Sequence, residues 1–215
     1  MKQQIIDKIL KEKIIVIVRG VEREKLIELA EAMYDGGIRL LEITYSADKS
    51  VSDEETADRI KMLAEHFGDR MYIGAGTVLT PYQAELTKKA GGRFIISPDS
   101  FDDVIRRTVE LDMVSIPGAL TPTEAQSAVR AGADFVKLFP VCDLGAAYVK
   151  AIKAPLSHIK FLAVGGINGD NMQEYLDAGV CGFGLGSNII NKKMINENDF
   201  CGITELAKKY VSKVK

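Results

Sequence analysis

Short apolar runs alternate with longer stretches of helical periodicity along the whole chain. Ile14–Val18, Leu40–Thr44, Tyr72–Thr77, Phe94–Pro98, Met113–Pro117, Phe135–Pro140, Phe161–Gly165 and Gly182–Ser187 are short, apolar and mostly β-branched or aromatic, and read as strands. Between them, segments such as Arg23–Tyr34, Thr56–His66, Pro81–Ala90, Phe101–Leu111, Pro122–Ala131 and Asp170–Ala178 space their apolar residues as helices do. A last helix is expected from about Phe200 to Lys213, and the opening stretch MKQQIIDKILKEK reads as a short amphipathic N-terminal helix. Glycines after helical stretches, as in Asp35-Gly36-Gly37, Ala90-Gly91-Gly92, Ala131-Gly132 and Ala178-Gly179, predict turns back into strands.

Strands alternating with helices at this spacing imply βαβ units and a parallel sheet. Eight units predict an α/β fold, a closed (β/α)8 TIM barrel, with residues 1–215 as a single domain. The competing architecture, an open doubly wound sheet, usually has about five or six strands.

Composition narrows the function classes. With 28 Lys+Arg against 30 Asp+Glu, the net charge is −2, and no basic run interleaves with aromatics, so nucleic-acid binding is not expected. No apolar stretch reaches the roughly 20 residues of a membrane span, and the N-terminus lacks a signal-peptide apolar core. Three cysteines without a C-x-x-C pair fit a reducing cytoplasm, and two histidines leave little for a metal site, so neither metal nor cofactor is expected.

Active sites of barrels form at the C-terminal ends of strands, and two charges interrupt otherwise apolar strands there. Lys137 lies in Phe135-Val136-Lys137-Leu138-Phe139-Pro140 and Glu42 in Leu40-Leu41-Glu42-Ile43-Thr44. Alternation along the strand leaves two orientations open for Lys137. Facing inward, among aromatic rings, its amine would be held neutral and nucleophilic, able to form a Schiff base; facing outward, it would snorkel beneath a helix. Glu42 and Lys137 fall on the second and sixth strands, and alternate strands share interior layers, so the carboxyl and the amine can face one cavity.

A third feature is glycine-rich. Val164-Gly165-Gly166-Ile167-Asn168 ends the seventh strand, and Gly184-Leu185-Gly186-Ser187-Asn188 ends the eighth. Loops at these places bind phosphate in this fold, so Gly165, Gly166, Gly186 and the Ser187 hydroxyl are phosphate-binding candidates. Tight turns at crowded strand ends are the alternative reading. Thr77, Pro98 and Arg19, the last just beyond the first strand, complete the strand-end candidates; a guanidinium there suits a carboxylate or phosphate.

Taken in order, Leu41-Glu42-Ile43-Thr44, Gly74-Ala75-Gly76-Thr77-Val78, Ile96-Ser97-Pro98, Ile116-Pro117-Gly118-Ala119-Leu120-Thr121-Pro122-Thr123-Glu124, Lys137-Leu138-Phe139-Pro140 and Gly165-Gly166-Ile167 resemble the 2-keto-3-deoxy-6-phosphogluconate (KDPG) aldolase / 4-hydroxy-2-oxoglutarate (KHG) aldolase family over nearly the whole chain. The resemblance implies a metal-free class I aldolase, usually a cytoplasmic homotrimer, that cleaves 2-keto-3-deoxy-6-phosphogluconate to pyruvate and glyceraldehyde 3-phosphate, with 4-hydroxy-2-oxoglutarate as a further candidate substrate. It implies that Lys137 forms the imine, Glu42 moves protons, Thr77 binds the pyruvyl carboxylate, Pro98 and Phe139 line the pyruvate pocket, and Gly165, Gly166 and Ser187 hold phosphate. Two positions depart from the family pattern. The arginine expected four residues after the glutamate is Ser46, for which Arg19 is the nearest candidate replacement. The threonine often found before the Gly-Gly pair is Val164. A phosphosugar isomerase or epimerase, or a non-catalytic sugar-phosphate-binding barrel, would keep the phosphate loops without the imine chemistry.

Overall fold

The structure, a computed structural model, describes residues 2–215. Helix α1 (Lys2–Glu12) leads into β1 (Ile14–Val18), α2 (Leu26–Asp35), β2 (Leu40–Thr44), α3 (Asp53–Phe67), β3 (Tyr72–Gly76), α4 (Pro81–Lys89) and β4 (Phe94–Ile96). There follow α5 (Asp102–Glu110), β5 (Val114–Ile116), β6 (Gly118–Ala119), α6 (Pro122–Ala131), β7 (Val136–Leu138), α7 (Gly145–Lys153) and β8 (Phe161–Val164). The chain ends with α8 (Met172–Asp177), β9 (Gly182–Leu185), α9 (Lys192–Asn196) and α10 (Phe200–Ser212). Local signals account for several boundaries: α4 and α6 each start with a threonine–proline pair and a reciprocal capping box, Thr80 with Gln83 and Thr121 with Glu124.

All strand pairings are parallel, in the order β5-β4-β3-β2-β1-β9-β8-β7-β6. The expected fifth strand is divided at Pro117, which has no N–H to donate to a ladder. Its first half pairs with β4 and its second with β7. Closure runs through this strand: Phe135 N donates to Ser115 O (3.2 Å), Lys137 N to Pro117 O (2.9 Å) and Phe139 N to Ala119 O (3.1 Å). The barrel therefore has eight staves, and the sixth, seventh and eighth are β7, β8 and β9.

Each strand buries both faces, as strands of a helix-wrapped parallel barrel must. Ile14, Val16 and Val18, or Leu41 and Ile43, point outward into the layer beneath the helices. Ile15, Leu40, Phe94, Ile96, Val114, Ile116, Phe135 and Leu162 point inward, and Ile5, Ile6 and Ile9 of α1 pack on them. The amphipathic N-terminal helix thus plugs the barrel floor, which leaves the opposite end, at the strand C-termini, as the open mouth. Gly132 ends α6 with φ 111°, the left-handed conformation expected of a glycine that turns a helix back into a strand.

Candidate active site

The open end holds a cavity of about 890 Å³. Its walls include all ten residues singled out from the sequence: Arg19, Glu42, Thr77, Pro98, Lys137, Phe139, Gly165, Gly166, Gly186 and Ser187. Ile17, Val164, Gly184, Asn188, Asn191, Lys192 and Lys193 also line it, and none of these had been read as a binding residue. Asn191, Lys192 and Lys193 could not be placed because α9, a helix of five residues, carries too little periodicity to announce itself.

The orientation left open for Lys137 is resolved. Val136 and Leu138 enter the outer layer, so Lys137 faces inward with Phe135 and Phe139. Its Nζ lies 4.5 Å from the Phe139 ring centroid, and the residue is only 7% exposed. Burial holds the amine below the usual lysine range; the Glu42 carboxyl opposes that shift and the Arg19 charge adds to it.

Glu42 is 2% exposed and faces the same cavity. Burial pushes its carboxyl up to about 7, against the pull of Lys137 and Arg19. Its Oε2 is buried without a hydrogen-bond partner. A carboxyl that divides its time between both protonation states near neutral pH can give as well as take a proton. Room for it is made on the next strand. A Cβ on Gly76 would stand 1.5 Å from Glu42 Oε1, so only glycine fits beside it.

Thr77, immediately after β3, also lines the cavity. Its φ is 54°, an outlier for a β-branched residue, which carries strain of order 1–3 kcal/mol. Arg19 Nη2 donates to Thr77 Oγ1 at 3.0 Å, so guanidinium and hydroxyl are presented together at the rim. Ser46, at the position where the family pattern has arginine, instead hydrogen-bonds Asp48 and Ser50 outside the cavity lining.

The glycine loops line the same cavity. Gly165 and Gly166 have φ of 95° and 75°, and side chains there would meet Pro140 and Cys142. These turns bring bare backbone to the cavity wall. Asn188 Nδ2 donates to Ile167 O at 2.6 Å and ties the two loops to each other. His66 pairs with Glu31, and His158 contacts Gln126; neither lines the cavity.

A parallel barrel with a buried lysine and a buried glutamate at its mouth carries the groups that imine-forming barrel lyases use. Residues 5–206 match the family model "KDPG and KHG aldolase", and the chain belongs to that family of aldehyde-lyases. It is 37% identical to the 2-dehydro-3-deoxy-6-phosphogalactonate aldolase of Escherichia coli K12, over 82% of this chain and 83% of that protein. It is 29% identical to the 2-dehydro-3-deoxy-phosphogluconate aldolase of Haemophilus influenzae, over 99% of this chain and 98% of that one. Among solved structures, Legionella pneumophila KDPG aldolase, with pyruvate captured as a covalent carbinolamine, superposes with a TM-score of 0.79 at 32% identity, covering 92% of this chain and 93% of that one.

Proposed function

We propose that this aldolase cleaves six-carbon 2-keto-3-deoxy-6-phospho acids to pyruvate and glyceraldehyde 3-phosphate through an imine on Lys137. The observation that carries the reading is the burial of Lys137 and Glu42 in one cavity, each shifted toward its neutral form. The Lys137 amine attacks the C2 ketone, and the carbinolamine loses water to give a protonated imine. That cation accepts the electron pair of the C3–C4 bond as the bond breaks. Glu42, through a water, takes the C4 hydroxyl proton, so the far half leaves as an aldehyde and the near half remains as an enamine. Protonation of the enamine carbon and hydrolysis of the imine release pyruvate and restore the lysine. Arg19 and Thr77 hold the C1 carboxylate, Pro98 and Phe139 pack on the pyruvyl half, and Gly165, Gly166, Gly186 and Ser187 hold the distal phosphate.

Cleavage turns C4 into a planar aldehyde carbon, so 2-keto-3-deoxy-6-phosphogluconate and its C4 epimer, the galactonate, give the same products. Two observations favour the galactonate epimer as the better substrate. The cavity wall has Val164 where a hydroxyl side chain is common in the family, so a hydrogen-bond partner for a substrate hydroxyl is gone. The relative named for the galactonate substrate is also more similar than the gluconate-named one, 37% against 29%. 4-Hydroxy-2-oxoglutarate lacks the phosphate arm and is expected to react more slowly. From the family, the reading also takes a cytoplasmic homotrimer, whose assembly sedimentation would test.

Borohydride reduction of enzyme with pyruvate, followed by peptide mapping, is the deciding experiment for the chemistry. An adduct on Lys137 is expected, and its absence would sink the imine mechanism. Parallel turnover of the two epimers decides the substrate, with kcat/KM favouring the gluconate overturning the preference stated.

A further inference from the structure

We propose that Lys192 and Lys193 form a cationic rim that grips the substrate phosphate and makes the enzyme discriminate phosphorylated from unphosphorylated 2-keto-3-deoxy acids. The inference rests on the aldolase reading above and names a specificity determinant for it. The glycine loops supply neutral backbone donors to the phosphate, and neither they nor Ser187 bring a full positive charge.

Residues 188–191 link Gly186-Ser187 to α9, and both lysines line the same cavity as the glycine loops. Their segment is fastened on three sides. Asn188 Nδ2 donates to Ile167 O (2.6 Å), the Tyr210 hydroxyl to Asn188 O (3.3 Å), and Lys25 Nζ to Ile195 O (2.9 Å). Lys192 Nζ reaches over Gly20, 3.8 Å from where a Cβ on that residue would stand, beside the strand end that carries Arg19.

Position singles out the pair. Lys8, Lys49, Lys61 and Lys208 are paired with carboxylates and lie away from the cavity, whereas Lys192 and Lys193 line it. Among the described residues, neither Lys192 nor Lys193 has a carboxylate within 4.0 Å. Glu42 is the one carboxylate among the lining residues, whereas Arg19, Lys137, Lys192 and Lys193 are basic. The mouth is therefore an electropositive rim on a chain of net charge −2. A substrate with one carboxylate and a phosphate of nearly two charges matches it in sign and distribution.

The test compares wild type with the double variants K192A/K193A and K192R/K193R, all checked for the same thermal midpoint. The alanine variant is expected to raise KM for the phosphorylated substrate about tenfold at low salt with kcat within about twofold, the signature of lost uniform binding. Raising salt from about 0.05 to 0.5 M should raise the wild-type KM and leave that of the alanine variant nearly flat. The arginine variant should keep the wild-type KM. On unphosphorylated 2-keto-3-deoxygalactonate, all three enzymes should have the same kcat/KM. Glycerol 3-phosphate titrated calorimetrically should bind the alanine variant about tenfold more weakly, with glycerol as the control. Unchanged KM and unchanged glycerol 3-phosphate affinity would overturn the rim, as would an equal loss on the unphosphorylated substrate. Failure of wild type to form the pyruvate adduct would instead defeat the aldolase reading, and the glycerol 3-phosphate titration would still judge the lysines.

Discussion

Replacing Gly76 with alanine tests how closely Glu42 is held. The added Cβ would stand 1.5 Å from Oε1 and 2.1 Å from Cδ of Glu42. Ordinary carbon–oxygen contact needs about 3.4 Å, so the carboxyl must retreat by roughly 2 Å or the strand must shift. The strand is held in register by its pairing with β2, and Glu42 is only 2% exposed, so its side chain must move within a packed wall. Overpacking of this kind costs about 1–3 kcal/mol. In a chain of this size each kcal/mol lowers the thermal midpoint by about 2–4 °C. The catalytic effect should be larger than the stability effect, since a misplacement of about 1 Å costs on the order of 100-fold in rate. The assay pairs coupled turnover with borohydride trapping of pyruvate. Turnover should fall at least about 100-fold. Trapping should still reach Lys137, only more slowly. Gly169→Ala is the control, because a Cβ there meets nothing within 4 Å and the residue lies outside the cavity. Wild-type turnover and melting for Gly76→Ala would refute the close fit of Glu42 against β3.

Other substitutions probe separate parts of the structure. Glu42→Gln should lower kcat by about 100- to 10,000-fold, the range for losing a general acid–base, measured by pyruvate release. The same variant has a signature in stability. Burial raises the Glu42 carboxyl from 4.5 to about 7, so folding takes up a proton between those values. The associated stability is fully present below about pH 4.5 and lost as pH rises through 7, roughly 3 kcal/mol in all. Melting curves of Glu42→Gln across that window should lack this component of the slope. Lys137→Met should abolish the borohydride adduct while keeping or raising the melting temperature, because a buried amine gives way to an apolar chain of similar length. Ile9→Ala, in the floor helix and wholly buried, should cost about 2–5 kcal/mol by denaturant titration without changing the kcat of the folded enzyme.

Much of the fold was legible in the residue pattern because its signals are local. Strand runs, capping boxes such as Thr121 with Glu124, and glycine turns such as Gly132 depend on neighbours in the chain, and they recur often enough to count eight βα units. The division of the fifth strand at Pro117 was not anticipated, although the missing N–H is itself a sequence feature; where the ladder breaks depends on which strands flank it. Lys137 and Glu42 stood out for a local reason too, as charges inside apolar runs.

Which way those charges point was beyond the sequence. A strand buried on both faces has no polar side to set its register, and a one-residue slip would send Lys137 under the helices instead of into the cavity. Barrel closure chose the inward face, removed water from both groups, and so moved the amine down and the carboxyl up. Closure likewise joined Arg19 to Thr77 across 58 positions of chain and brought Lys192 and Lys193 to the mouth. The chemical groups are written in the chain, but their desolvation and mutual distance are properties of the assembled barrel, because both depend on atoms far away in sequence.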